Sequence, residues 1–252
     1  MAEAHYNLGL ALRAMGRMDE AVNSYRRAVA FKPGLYQAHN NLGDALRKLG
    51  CLPEALASLE QALLIKPDHV EAINNRGMIL HETRRMGEAL ASFDRAIALE
   101  PRRAEAFNNR GLVLQELGRT EQAIASYDRA IELQPGHADA WSNRGGALAQ
   151  VKRIDEALAS CERAISLDPT HPGAFNNRGI ALHQGRRLEE ALDSYERAIS
   201  LKADFAEAWN NRGNAMHDLR RMEEALASFQ RSIDLNPKYA EAICNRGMVR
   251  QD

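Results

Sequence analysis

The sequence predicts an all-α solenoid built from helix hairpins, and three observations carry that expectation. A glycine returns every 34 residues, at Gly9, Gly43, Gly77, Gly111, Gly145, Gly179, Gly213 and Gly247, with an asparagine two places ahead of each. Between glycines lie two stretches with helical spacing of apolar residues, separated by a short polar turn such as Arg84-Arg85 or Gly118-Arg119. The second stretch ends before a proline at Pro33, Pro67, Pro101, Pro135, Pro169 and Pro237, and proline cannot continue a helix. A period between about 20 and 50 residues marks an array whose units pack on their neighbours and share no single globular core.

Placing the glycine at position 8 gives seven complete repeats, 2–35, 36–69, 70–103, 104–137, 138–171, 172–205 and 206–239, and a partial repeat 240–252. The whole chain, 1–252, is expected to be one array. The first helix of each repeat, A, should cover positions 2–14. At 100° per residue, positions 4, 8 and 11 share one side, held in the fourth repeat by Phe107, Gly111 and Leu114. This side should meet helix B of the same repeat. A second side, positions 3, 7, 10 and 14, has alanine at position 3 in all eight copies, from Ala4 to Ala242. Small residues there suit close approach to a neighbouring repeat. Positions 2, 6, 9 and 13 form a third, mostly polar strip, on which the asparagines lie.

Glycine inside a helix costs about 1 kcal/mol relative to alanine, so its recurrence needs a packing reason. Helix B supplies one. Position 20 is alanine (Ala21, Ala55, Ala89, Ala123, Ala157, Ala191, Ala225), and position 24 is large at Tyr25, Leu59, Phe93, Tyr127, Tyr195 and Phe229. A bulky side chain seated over the glycine fixes how the two helices cross. Helix B also opens on acids, such as Glu189-Glu190 and Glu223-Glu224, which suit the positive end of the helix dipole.

The 34-residue period, the glycine at 8, the alanines at 20 and 27 (Ala28, Ala62, Ala96, Ala130, Ala164, Ala198) and the proline at 32 resemble the tetratricopeptide repeat. The resemblance covers nearly the whole chain. It implies a right-handed superhelix of antiparallel helix pairs, with A helices lining a concave groove and B helices outside.

Four departures stand out. Position 7, usually leucine in that family, is Leu8 and Leu42 and then Arg76, Arg110, Arg144, Arg178, Arg212 and Arg246; their stems should lie along apolar surface with the heads reaching carboxylates or water. Cys161 replaces the large residue at position 24 and should loosen its hairpin. Ser232 replaces the last position-27 alanine. Ala203 replaces a proline, and Pro172-Gly173 opens the helix A that follows, so irregular stacking is expected there. Both ends look unfinished: helix A of the first repeat lacks a preceding cap, and Arg250 stands where other repeats have leucine or methionine. The array could be part of a longer one, or associate end to end.

Composition excludes several functions. Lys plus Arg number 33 against 34 for Asp plus Glu, and a net charge of −1 gives no broad attraction to nucleic acid or anionic lipid. No apolar run nears the roughly 20 residues of a membrane-spanning helix, and the start shows no signal-peptide pattern. Cys51, Cys161 and Cys244 are an odd set without CxxC, which suits a reducing cytoplasm. No phosphate loop, nucleophile elbow or metalloprotease motif occurs, so neither catalysis nor a cofactor is expected.

The asparagines at position 6 are the sharpest candidate site: Asn41, Asn75, Asn109, Asn143, Asn177 and Asn211, with Asn7 and Asn245 at the ends. Asparagine is a mediocre interior helix residue, but its carboxamide both donates and accepts. It can therefore hold the N–H and C=O of an extended peptide whatever its side chains, or it can bond to an adjacent repeat. Packed helices lie about 8–10 Å apart and an extended chain rises about 3.3 Å per residue, so one contact per repeat would meet every third peptide residue. Position 5, in Asn40, Asn74, Asn108, Asn176 and Asn210, should widen the polar strip. Acids at position 2, such as Glu71, Glu105, Asp139, Glu207 and Glu241, favour a helix N-terminus and would also give a groove an acidic character. His81, His183 and His217 share position 12 without partners at metal-ligand spacing.

A protein-interaction scaffold binding an extended peptide or partner segment is the function these residues favour. The asparagine ladder is also similar to that in the repeat region of O-linked N-acetylglucosamine transferases, which would make the chain a recognition arm of an enzyme whose catalytic segment is not in this sequence. The carboxylate clamp of chaperone-binding members fits less well, since position 2 is acidic and position 5 lacks lysine. Self-assembly through the open ends is a further alternative.

Overall fold

A computed structural model describes residues 1–249. Every helix expected from the repeat is present, and the described residues form no strand. The chain divides into two compact units, Met1–Leu117 and Gly118–Asp252, so the boundary falls in the A–B turn of the fourth repeat. The first unit holds α1 (Ala2–Ala14), α2 (Met18–Phe31), α3 (Tyr36–Lys48), α4 (Leu52–Ile65), α5 (Val70–Glu82), α6 (Met86–Leu99) and α7 (Ala104–Glu116). The second holds α8 (Thr120–Leu133), α9 (Ala138–Gln150), α10 (Ile154–Leu167), α11 (Pro172–Gln184), α12 (Leu188–Leu201), α13 (Ala206–Asp218), α14 (Met222–Leu235) and α15 (Ala240–Val249). Arg250 lies outside the described residues.

Each hairpin is built on its glycine. A Cβ at Gly9 would stand 2.5 Å from the Tyr25 ring, at Gly77 2.7 Å from Phe93, at Gly179 2.5 Å from Tyr195 and at Gly213 2.6 Å from Phe229. These position-24 side chains are fully buried, as are the position-20 alanines. Helix A and helix B thus touch through a slot that only glycine leaves open. Gly247, whose helix has no described helix B after it, has nothing within 4 Å.

Within each unit, successive hairpins stack as the small flank predicts. Helices α3 and α5 pack together in the first unit, and α9 on α11, α11 on α13 and α13 on α15 in the second. The position-3 alanines from Ala38 to Ala242 are fully buried. Ala4, in the first described repeat, is exposed, and Leu8 beside it is 48% exposed.

Helix A ends the same way in each repeat. Position 15 adopts the left-handed conformation at Gly16, Gly50 and Gly118, with φ of 73° to 77°, and also at Arg84, Lys152, Arg186 and Arg220, with φ of 60° to 62°. The next amide then reaches back five residues, as Arg17 N–H donates to the Leu12 carbonyl at 2.9 Å, which satisfies an end-of-helix acceptor. Glycine takes this conformation freely, whereas an L side chain costs roughly 1–2 kcal/mol there.

The expected irregularities leave the helices themselves regular, but stacking does differ where it was expected to: α11 packs on α9 more extensively than the other successive A helices within a unit pack on each other. Cys161 is fully buried and its Sγ occupies the slot over Gly145, so its hairpin is not loosened: a smaller side chain lets the backbones close the gap. Burial pushes this thiol up to about 12, leaving it inert at neutral pH. Helix α11 begins at Pro172 without distortion, because the first helical position needs no N–H. Ala203 replaces proline without consequence, since that position contributes its carbonyl: Trp209 Nε1 donates to Ala203 O at 3.1 Å as Trp141 Nε1 does to Pro135 O at 3.0 Å. The rings at position 4 therefore reach back to the preceding loop as well as facing their own hairpin. Ser232, buried where alanine is usual, donates to the Ala206 carbonyl at 2.7 Å.

Candidate functional site

The polar strip of helix A is the part of that helix left open by both packing sides. Positions 2 and 13 are exposed at Glu71, Glu105, Glu207, Glu116, Gln184 and Asp218, and position 6 is half-buried at Asn109, Asn143, Asn177 and Asn211. Asn41 and Asn75 are more enclosed, at 6% and 9% exposure.

The asparagines form an inter-repeat ladder. Four position-6 amides donate to the position-5 asparagine of the preceding repeat: Asn75 Nδ2 to Asn40 Oδ1 at 3.1 Å, Asn109 to Asn74 at 3.3 Å, Asn211 to Asn176 at 3.0 Å and Asn245 to Asn210 at 3.1 Å. Where position 5 is not asparagine, another oxygen serves. Asn41 donates to Tyr6 Oη at 3.1 Å, and Asn177 to the Ser142 carbonyl at 3.0 Å and its Oγ at 3.2 Å. Position 5 does not widen an exposed strip: Asn40, Asn74, Asn108, Asn176 and Asn210 are 0 to 6% exposed, between stacked helices. A buried amide must find partners, and the ladder provides them.

The ladder consumes only part of each position-6 amide. In Asn75 and Asn211 one N–H group is used, in Asn177 the amino group serves both Ser142 oxygens, and in all three the Oδ1 accepts nothing from the described residues. The fixed donor bond sets the amide plane, so the free oxygen points in a defined direction. Asn41 and Asn109 differ, because their Oδ1 atoms accept from Asn40 Nδ2 at 3.3 Å and Asn108 Nδ2 at 3.5 Å.

Acids at position 2 belong to the same network in the second unit. Asn176 Nδ2 donates to Glu207 Oε1, and Asn210 Nδ2 to Glu241 Oε1, each at 3.1 Å. Although Glu207 is exposed as a residue, desolvation of its carboxyl raises it, the Asn176 bond opposes this, and the Glu241 charge adds to the rise. Asp139 instead pairs with His171, whose Nε2 donates to Asp139 Oδ1 at 3.0 Å while Nδ1 accepts from Ala174 N–H at 3.0 Å. That bond holds the Asp139 carboxyl low and lifts the His171 ring.

Sequence reasoning missed the partners of the position-12 histidines and the serine partners of the position-7 arginines, whose reach to carboxylates it did expect. The position-12 histidines have carboxylate partners at position 13 of the next repeat: His81 Nε2 lies 2.7 Å from Glu116 Oε1, and His183 Nε2 lies 3.0 Å from Asp218 Oδ2. Arg84 and Arg186 join the same two carboxylates. No group of three His, Cys, Asp or Glu side chains among the described residues could hold a metal. The position-7 arginines bridge B helices. Arg144 donates to Ser160 Oγ and to Asp128 of the preceding repeat, both at 2.6 Å, and Arg212 reaches Ser228 Oγ at 2.6 Å and Glu196 at 3.1 Å. The signal was available, because serine stands at position 23 in all seven repeats, from Ser24 to Ser228.

Family models described as tetratricopeptide repeat match residues 42–106, 108–172, 160–193 and 206–239, and one described as TPR repeat matches 9–50 and 181–219. The chain belongs to the tetratricopeptide-repeat family. Such repeats are in general protein-interaction modules and non-catalytic scaffolds. Comparison with curated proteins yields no match. Among solved structures, a tetratricopeptide repeat protein from Parabacteroides merdae ATCC 43184 aligns at a TM-score of 0.79 with 19% identity, over 99% of this chain and 98% of that one. The APC/C hetero-tetramer Cut9–Hcn1 aligns at 0.85 with 13% identity, over 96% of this chain and 48% of that one. YrrB, described as a TPR protein with an unusual peptide-binding site, aligns at 0.55 with 26% identity, over 73% of this chain and 95% of that one. No helix among the described residues of this tetratricopeptide-repeat chain is long and apolar enough to cross a membrane.

Proposed function

We propose that the chain is a peptide-binding scaffold that holds an extended segment of a partner protein along the position-6 asparagines. The observation that carries this reading is the half-used amide. In Asn75 and Asn211 the ladder bond orients the carboxamide and leaves Oδ1 and one N–H for a ligand backbone, and in Asn177 it leaves Oδ1. An acceptor and a donor per repeat match the N–H and C=O that an extended chain presents. Asn109 extends the row within the first unit and Asn143 within the second, and the buried position-5 amides Asn74, Asn108, Asn176 and Asn210 act as positioning residues beneath them. Half-buried apolar side chains at position 9, among them Met78, Leu112 and Ile180, supply contact area beside the polar row. The likeness to YrrB, with its peptide-binding site, supports the same reading.

The test is to select extended peptides from a random library on the whole chain and measure their affinity for the Asn177→Ala, Asn211→Ala double variant. A loss of roughly tenfold or more, with the variant still helical, is expected from two backbone hydrogen-bonding sites. Undiminished affinity of every selected peptide contradicts the proposal.

A further inference from the structure

We propose that the A–B turns of repeats 138–171, 172–205 and 206–239 form a second docking row, for an acidic segment of a partner protein. Position 15 is left-handed in every repeat, and glycine fills it at Gly16, Gly50 and Gly118. At Arg84 in the first unit, and in three successive repeats of the second at Lys152, Arg186 and Arg220, the same conformation is imposed on a basic side chain, with φ of 60° to 62°. The fold alone selects glycine at this position, so three strained basic residues in successive repeats point to something gained by the side chain.

The surroundings show what that is. Arg186 is 80% exposed, touching Asp218 at 3.4 Å, and Lys152 and Arg220 make no ion pair with the described residues. The neighbouring position-16 arginines are already satisfied: Arg153, Arg187 and Arg221 form two-pronged pairs with Glu156, Glu190 and Glu224 at 2.6 to 2.8 Å. A cleft of about 380 Å³ lies against the row, lined by Lys152, Ile154, His183, Gln184, Arg186 and Asp218. It offers two cationic heads over an apolar floor at Ile154. One cation per repeat, at a helix-packing spacing of about 8–10 Å, meets every third residue of an extended chain. A phosphate backbone, charged at every unit, fits poorly, because cations one per repeat with Asp218, Glu189 and Glu223 between them match spaced carboxylates rather than a continuous negative track.

The experiment measures anisotropy of a labelled fifteen-residue peptide with glutamate at every third position, separated by glycine and serine, against the same peptide with glutamine. The variant is Lys152→Gly, Arg186→Gly, Arg220→Gly. Because glycine relieves the left-handed strain, the expected result is roughly tenfold weaker binding together with a higher unfolding midpoint. Asp218→Asn should strengthen binding about twofold by freeing Arg186, the glutamine peptide should bind far more weakly, and about 1 M salt should abolish binding. Asn177→Ala, Asn211→Ala should bind this peptide as the parent chain does, which separates the row from the asparagine strip. Equal binding by the triple-glycine variant, equal binding of the two peptides, or preference for a single-stranded oligonucleotide over the acidic peptide would overturn the proposal.

Discussion

The two units use the same asparagine ladder and finish it differently. In the second unit the buried position-5 amides pass their own N–H groups forward to carboxylates of the next repeat, Asn176 to Glu207 and Asn210 to Glu241. In the first unit they stay local: Asn40 donates to the adjacent Asn41, and Asn74 lies 3.9 Å from the Met78 sulfur. Bonds to a charged group contribute roughly 1.5–3 kcal/mol against about 1 kcal/mol for neutral pairs, and a thioether is a weak acceptor. The lesson is that a regular sequence row need not be energetically regular: position 2 is glutamate at Glu71 and Glu105 as at Glu207 and Glu241, but Glu105 pairs with Arg103 at 3.2 Å while Glu207 and Glu241 accept from the ladder.

That contrast can be broken by deletion. Asn176→Ala removes two inter-repeat bonds, strands the Asn211 amide and should destabilise the second unit by about 3 kcal/mol, whereas Asn74→Ala should cost about 1–1.5 kcal/mol. Urea unfolding of both variants checks the ranking; equal midpoints would show that the carboxylate arm adds nothing.

A second pair of substitutions separates hairpin packing from intrinsic helix preference. Gly213→Ala drives a methyl into the Phe229 ring and should destabilise by about 1–3 kcal/mol. Gly247→Ala meets open space and should stabilise its helix by up to about 1 kcal/mol. Circular dichroism on thermal unfolding reads opposite signs if the slot explains the glycines.

The smallest effect concerns pH. Glu207 binds its proton more readily in the folded chain than in the unfolded one. Its stabilising contribution is therefore fully present below the ordinary carboxylate value and is lost as pH rises through the raised folded value. Glu207→Gln keeps the acceptor for Asn176 and should flatten the stability profile across that window, with a gain below about 1 kcal/mol at neutral pH. An unchanged profile in calorimetric scans would place the pH sensitivity elsewhere.

The hairpins were legible because each rests on short-range rules written many times over. Gly9 with Tyr25, Ala28 beside the loop and proline at Pro33 state one packing solution; repeats 36–69, 70–103 and 104–137 state it again in full, and the last three with one substitution each. The site was less legible because its chemistry spans repeats. Nothing within residues 172–205 says that the Asn176 amide meets Glu207 of the next repeat, or that His183 meets Asp218, since these pairs depend on how one helix A lies on the next. Burial of position 5 escaped an angular count on a single helix for the same reason. The left-handed turns were half-visible: Gly16 and Gly118 announce them, while Lys152 and Arg186 hide them behind side chains that such a turn does not favour.

The central claim is that the position-6 amides remain available to a ligand while the position-5 amides do not. Side-chain amide resonances of the isotopically labelled chain, followed by nuclear magnetic resonance as a selected peptide is added, test it directly. The account predicts large shifts at Asn177 and Asn211 and small ones at the buried Asn176 and Asn210. Shifts confined to residues away from the strip, with Asn177 and Asn211 unmoved at saturation, would contradict it.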